Sequence, residues 1–215
     1  MKKTLSIILA LALCLALFAG CETATEVEET VGKTVSPLLE TIDVANLTDC
    51  TVSVSLEDGG AYVDDSGKMV MDVTVYSYEL YDMVDISSLA KDDVIIRQGK
   101  EVEITELERL DTGLVRINGG EENGGFDLIS GDGTVYFEIG MNDAKAYYEL
   151  GKATLPVSDE FVYIDSSDLD ADAKEYYPGD FLADDAEIEY NFYPNNTSIV
   201  IENGTIIEMN KVYMP

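Results

Sequence analysis

The sequence TSIVIENGTIIEMNKVY, residues 197–213, contains two β-rich runs on either side of Asn203-Gly204. Asn-Gly is the preferred pair for a two-residue type I′ turn, because both of its residues tolerate a positive φ angle. Each run has the length of an ordinary strand. We therefore predict a β-hairpin over these residues.

The alternation of apolar and polar residues that marks half-buried strands recurs throughout the chain after residue 46. Gly-rich turn signals separate the runs, and no window shows a long helical period. The sequence predicts an all-β fold, either a sandwich or one or more small barrels of antiparallel strands and hairpins, with at most one or two short helices. The alternating runs are residues 51–56, 69–76, 101–105, 134–139 and 187–192, and the candidate helices are residues 36–42 and 141–150.

The first twenty residues have the layout of a secretory signal peptide. Two lysines at positions 2 and 3 precede an uncharged apolar run, and small residues follow it. The segment ends in Leu-Phe-Ala-Gly-Cys at 17–21, which resembles the lipobox of bacterial lipoproteins, with Phe18 at a position that is most often Leu. The resemblance implies cleavage before Cys21 and lipidation of that cysteine. A signal peptide without lipidation is the alternative.

The signal peptide and the pattern of strands divide the chain into four predicted parts. Residues 1–20 are the signal peptide, and residues 21–45 are the lipidated cysteine and a flexible acidic tether. Residues 46–155 form a β domain. Residues 156–215 hold an acidic loop region and the hairpin, packed on the same β domain. We expect the protein to lie on the extracellular side of the cell membrane, attached through its lipid.

The composition excludes several classes of protein. The chain contains no His, which rules out Ser-His-Asp and Cys-His catalytic groups and His-ligated metals. It carries 13 Lys and Arg against 43 Asp and Glu, a net charge of −30. Nucleic acid and anionic lipid would both repel this charge, so the membrane is reached through acyl chains alone. Cys50 would be the remaining side-chain thiol after cleavage, and we interpret it as a buried structural residue.

Acidic residues crowd together between positions 159 and 189. We interpret this run first as a solvated acidic loop. Oxygen ligands of this kind also suit hard cations, and Ca²⁺ is the candidate ion. Residues 168–172 resemble the start of an EF-hand loop, but Ala173 replaces the turn glycine and Gly179 stands where the bidentate Glu belongs. The candidate calcium ligands are Asp165, Asp168, Asp170, Asp172 and Glu175.

The 13 Tyr residues suggest a binding face, because aromatic rings stack on ligands while their hydroxyls stay hydrated. Tyr76 and Tyr78 share one face of a strand by period two, and Tyr81 follows in the same segment. Ordinary packing of strand tyrosines is the first interpretation. Tyr76, Tyr78 and Tyr81 are the candidates for binding a glycan or protein ligand.

Taken whole, the chain resembles the uncharacterised lipoproteins of Gram-positive gut bacteria. The resemblance rests on the Tyr-rich segment YSYELYDMVDISSL at 76–89 and on the TSIVIENG type of hairpin at 197–204. It covers most of the chain that would follow the signal peptide. It implies no activity and no functional residues.

We expect a non-catalytic, lipid-anchored surface protein that acts as a binding or interaction module, since no catalytic motif is present. Two alternatives stay open. A carbohydrate-active hydrolase needs only two carboxyl groups, and a calcium-stabilised structural envelope protein would use the acidic segment. An exposed Tyr patch would favour binding, whereas a cleft with two carboxyl groups, one of them with a raised pKa, would favour the enzyme.

Overall fold

The computed structural model describes residues 32–140, 144–183 and 188–214. Its elements are almost all strands, and the described residues contain two short α-helices. The predicted all-β fold class is confirmed. The strands are β1 (Thr34–Val35), β2 (Cys50–Val63), β3 (Met69–Ser77), β4 (Leu80–Asp82), β5 (Val94–Arg97), β6 (Lys100–Glu103), β7 (Leu107–Arg109), β8 (Val115–Ile117), β9 (Phe126–Ser130), β10 (Val135–Glu138), β11 (Tyr148–Ser166), β12 (Lys174–Tyr176), β13 (Thr197–Glu202) and β14 (Thr205–Val212), and the helices are α1 (Met83–Ser87) and α2 (Pro178–Phe181).

Five strands close into a barrel in the order β2-β3-β11-β14-β13 and back to β2. The 19-residue β11 makes this closure, because its first half pairs with β3 and its second half pairs with β14. The β11–β14 pairing is parallel, and the other four pairings are antiparallel. This order and these directions are the connectivity of an OB-fold barrel.

The alternation in the sequence sets which side chains fill the barrel. Val52, Val54 and Leu56 of β2 point inward and are almost fully buried, while the residues between them face outward. The predicted hairpin is present as β13 and β14, and Asn203 and Gly204 in its turn have φ angles of 48° and 75°. Positive φ at both positions is what a type I′ turn requires.

Between β3 and β11 the chain leaves the barrel, and residues 78–140 and 144–147 build a second core; we call these residues the insert. One of its sheets has the order β4-β10-β9-β8-β7, and the other pairs β5 with β6. Their core residues, with Val35 of β1, are Tyr81, Ile86, Leu89, Ile95, Ile104, Val115, Ile117, Phe126 and Leu128.

Part of the expected tether is folded, so the sequence interpretation is wrong for residues 32–45. Strand β1 pairs in parallel with β5, and Val35 is only 1% exposed. The helix predicted at 36–42 does not form; this stretch is irregular, and Leu38 N–H donates instead to the Leu80 carbonyl at 2.7 Å. Residues 22–31 lie outside the described residues.

Two further expectations are corrected by β11. The strand runs without a break through residues 155 and 156, where the sequence suggested the end of one region and the start of another. It also begins at Tyr148, so residues 148–150 of the predicted helix 141–150 are extended, and residues 144–147 are not helical either. Residues 141–143 lie outside the described residues. The hairpin does pack on the same barrel as β2, as predicted.

Candidate functional site

The structure separates the three tyrosines that the sequence grouped as a binding face. Tyr76 and Tyr78 are half-buried and lie on the outer side of β3 and directly after it. Tyr81 is completely buried in the core of the insert. Its assignment to a ligand surface is therefore wrong, whereas Tyr76 and Tyr78 do line a groove.

This groove lies where the barrel meets the insert, and we call it the junction groove. It consists of two adjoining depressions of about 340 Å³ each, which share Leu39, Glu40, Ser77 and Tyr78. Sites of this kind are common at the junction of two folded units. Its walls include residues from three separate parts of the chain. These residues are Leu39 and Glu40, then Tyr76, Ser77, Tyr78 and Glu79, and finally Tyr148.

The ring of Tyr78 is held in place by two neighbours. Tyr147 packs against it edge to face, with ring centroids 5.2 Å apart. The Lys145 Nζ atom lies 4.4 Å from the centroid of the Tyr78 ring, a cation–π contact. Burial raises the pKa of Tyr147 and of Tyr148 above the ordinary value, which is itself well above neutral pH, so both hydroxyls are protonated. A ligand would therefore meet an aromatic surface that is already ordered.

Glu79, in the wall of the groove, is a buried acidic residue with only 4% of its surface exposed. Its Oε2 accepts a hydrogen bond from the Tyr81 hydroxyl at 2.7 Å, and its Oε1 accepts one from the Gln98 N–H. Behind it, Arg97 donates two hydrogen bonds to Glu138, at 2.7 and 2.6 Å. Burial raises the pKa of Glu79, and the hydrogen bonds from Tyr81 and Gln98 offset this only in part.

Glu79 should make the stability of the protein depend on pH. Because its pKa is raised in the folded state, the folded protein holds this proton more tightly than the unfolded chain does. The free energy of unfolding should therefore rise as pH falls from the folded pKa toward the unfolded value of about 4.3. We expect the wild type to gain stability relative to Glu79→Gln over this range, measured by urea unfolding at several pH values.

Glu108→Gln is the control for this measurement, because Glu108 is exposed. The wild type should not gain stability relative to Glu108→Gln over the same pH range. A difference between wild type and Glu79→Gln that stays constant, or that shrinks as the pH is lowered, would contradict the raised pKa.

A separate depression, of about 450 Å³, lies on the outer face of β2, β3 and β11; we call it the barrel trough. Thr74 and Asp72 of β3 face Lys152 and Thr154 of β11 across it, in register. The Thr154 hydroxyl donates to the Asp72 carboxylate at 2.6 Å. This hydrogen bond fixes one polar pair at the surface of the trough.

Three of the five predicted calcium ligands, Asp165, Asp168 and Asp172, line one small depression, together with Glu189 and the cations Lys174 and Lys211. In the part of the chain that the structure describes, no three Asp, Glu or Cys side chains are grouped so that they can hold a metal ion. Asp168 instead accepts a hydrogen bond from its own loop, from the Asp170 N–H at 3.0 Å. Asp170, Asp172 and Glu175 are exposed.

Asp165 has a structural partner instead of a metal. It lies beside Lys211 through the parallel pairing of β11 and β14, with the Lys211 Nζ atom 3.7 Å from the carboxylate. Burial alone would raise the pKa of Asp165. Hydrogen bonds from Ser167 and Tyr163, together with the Lys211 charge, outweigh burial, so the pKa is lowered. The carboxylate thus stays ionised and compensates the buried ammonium group of Lys211.

Cys50 is a free, half-buried thiol at the start of β2. Burial raises its pKa, which lowers the fraction of reactive thiolate at neutral pH. This agrees with the interpretation of Cys50 as a structural residue.

Several residues of the groove were not predicted from the sequence. Leu39 and Glu40 fell in the expected tether, and Glu79 was one acidic residue among 43. For Glu79 a signal did exist in the count by two along the chain. The structure follows this count, because positions 73, 75, 77, 79 and 81 are all buried, while 74, 76, 78 and 80 are not. Strict period-two counting would have placed Glu79 and Tyr81 on the inner side, opposite Tyr76 and Tyr78.

Comparisons with protein families, with curated proteins and with solved structures found no match for this chain. Within the described ranges, none of the helices is long and apolar enough to cross a membrane. The predicted signal peptide and Cys21 lie outside the described residues.

Proposed function

We propose that the protein is a non-catalytic binding module of the cell surface, anchored by lipid at Cys21, which binds a glycan in the junction groove. The observation that carries the binding role is the Tyr78 ring, which packs against Tyr147 and Lys145 at the wall of the groove. The lipid anchor is supported by the signal sequence and the Leu-Phe-Ala-Gly-Cys motif at 17–21. A lipid at that position would leave the folded part of the chain free to meet ligands outside the membrane.

The character of the groove favours a sugar as the ligand. Tyrosines provide flat apolar faces together with hydroxyl groups, and sugar rings present C–H faces and hydroxyls of their own. Ser77, Glu40 and the tyrosine hydroxyls supply polar groups around these rings. A small number of polar groups around an apolar surface is the usual composition of a specific small-molecule site.

A glycoside hydrolase is the second candidate, because Glu79 has a raised pKa and shares the groove with another carboxyl group, Glu40. Both oxygens of Glu79, however, are occupied by the buried Tyr81 hydroxyl and the Gln98 N–H. A general acid must reach the leaving oxygen of its substrate, so this arrangement favours binding without catalysis.

The binding role is tested with the full chain expressed in a bacterial host that processes lipoproteins. We expect Cys21→Ala to move the protein out of the membrane fraction. Purified Cys21→Ala protein should then be retained on insoluble polysaccharides, and adding Tyr78→Ala should weaken the retention about tenfold, from the loss of about 1.4 kcal/mol of aromatic contact.

Tyr177→Ala is the matched control, because Tyr177 is an exposed tyrosine that precedes α2 and bonds Glu175. The proposal is refuted if Tyr78→Ala binds as well as Tyr177→Ala. Release of reducing sugar by the wild type, lost in Glu79→Gln, would replace it with the hydrolase.

A further inference from the structure

The barrel trough continues the junction groove along one strand. Asp72, Thr74, Tyr76 and Tyr78 occupy successive outward positions of β3 and the residue just after it. Thr74 lines the trough, and Tyr76 and Tyr78 line the groove. The neighbouring strand repeats this order, because Ser55 pairs with Thr74 and Ser53 pairs with Tyr76. The trough and the groove therefore lie next to each other along β2 and β3, and we call them together the track.

This track is long enough for a chain rather than a single sugar. From Asp72 to Tyr78 an extended backbone spans at most about 20 Å. The groove then continues past Tyr78 to Glu79, Ile96 and Gly99 at the edge of the insert. Several linked sugar units fit along such a track, with the aromatic residues at one end and Ser and Thr hydroxyls at the other.

A polypeptide is a poorer occupant, because β3, the strand that runs the length of the track, is paired along both of its edges. Strand β3 is paired with β2 on one side and with β11 on the other, and β2 is paired with β3 and β13. An extended peptide binds best by adding a strand to an open edge through backbone hydrogen bonds. Recognition here falls to outward side chains, many of which carry hydroxyl groups that suit the hydroxyls of a sugar.

The charge of the track selects against acidic polymers. Glu57, Asp58 and Asp72 line the trough, Glu40 lines the groove, and Lys152 is the cation among the trough residues. Lys145, which lies against the Tyr78 ring, is the cation beside the groove, so carboxylates outnumber cations along the track. An anionic chain would meet this excess of like charge, which costs free energy. A neutral chain avoids that cost, and its hydroxyls can donate hydrogen bonds to the carboxylates.

We propose that the track binds an extended, uncharged polysaccharide, which lies across the junction groove and the barrel trough together. This inference rests on the proposed binding function and adds to it the length and charge of the ligand. The chain runs along the outer face of β3, with sugar rings against Tyr76 and Tyr78 and hydroxyls against Thr74 and Thr154.

The test measures the affinity of the purified full-length Cys21→Ala protein by calorimetry. The probes are neutral gluco-, xylo-, manno- and chito-oligosaccharides from the disaccharide to the hexasaccharide, with a carboxymethylated form of each hexasaccharide. For at least one series we expect affinity to rise about tenfold from disaccharide to hexasaccharide, and the carboxymethylated form to lose binding.

Thr74→Lys places a long side chain in the trough and leaves the groove unchanged. It should reduce hexasaccharide affinity to the disaccharide level without changing disaccharide affinity. Thr112→Lys, in the exposed β7–β8 turn, should change neither. Circular dichroism checks that both variants fold.

Each of the other possible results contradicts one part of the proposal. Equal affinity for short and long oligosaccharides, unaffected by Thr74→Lys but lost in Tyr78→Ala, would refute the extended track and keep the groove function. Tighter binding of the carboxymethylated form would refute the charge selection. If no oligosaccharide binds, the inference is overturned, and the retention experiment with Tyr78→Ala decides separately whether the groove function stands.

Discussion

A fragment that begins at residue 46 is expected to lose the packed core of the insert, whereas a fragment that begins at residue 32 keeps it. The reason is β1, which the longer fragment retains. Val35 is almost fully buried against the insert, and burying one such side chain contributes about 1.5–3 kcal/mol. The Val94 N–H donates to the Lys33 carbonyl at 2.8 Å, and the Lys33 N–H donates to Asp93 at 2.8 Å.

The measurement is hydrogen exchange of the insert amides in both fragments, together with thermal unfolding. A single substitution tests the same point in the intact chain. Val35→Asp buries an unpaired charge and should destabilise the insert, whereas Leu38→Asp, at a position 54% exposed on the same segment, should have little effect. If the fragment from residue 46 protects its insert amides as well as the longer one, then residues 32–45 are a tether after all.

Tyr81→Ala is expected to destabilise the protein by about 3–5 kcal/mol, the usual cost of removing a large aromatic side chain from a core. The ring is completely buried, and its hydroxyl lies 2.7 Å from Glu79 Oε2 and 2.8 Å from the Ile96 carbonyl. Tyr81→Phe keeps the ring but leaves the buried Glu79 oxygen without its donor, which should cost about 1–3 kcal/mol.

Urea unfolding measures both changes, and Tyr78→Ala is the matched comparison three residues away. Tyr78 is half-buried in the groove wall, so its substitution should alter ligand binding far more than stability. The opposite result, in which Tyr81→Ala leaves stability unchanged and removes binding, would return Tyr81 to the ligand surface.

The fold class could be predicted from the sequence because period two is a local property. The alternation of Val52, Val54 and Leu56, and the Asn203-Gly204 turn, each depend on neighbouring residues only. The closure of the barrel could not be predicted in this way. It depends on one strand, β11, pairing with β3 in its first half and with β14 in its second, and these partners are distant along the chain.

The candidate sites show the same division. Tyr76 and Tyr78 were predicted as neighbours on one face, because two residues on one strand define that face. Leu39 and Tyr148 reach the same groove from other segments, so only the folded chain brings them together. Asp165 looked like a calcium ligand because the sequence does not reveal that Lys211, on a parallel strand, is its partner.

The pairing of Ser77 with Tyr148 places the two ends of the insert side by side, at the first rung of the β3–β11 ladder. In terms of chain connectivity, the insert is an enlarged hairpin loop whose two ends share one rung of the barrel. No barrel pairing involves the insert, although β1, which precedes the barrel, pairs with β5 of the insert. The junction groove lies at these two ends, so a change in the insert would alter a wall of the groove without altering a barrel pairing.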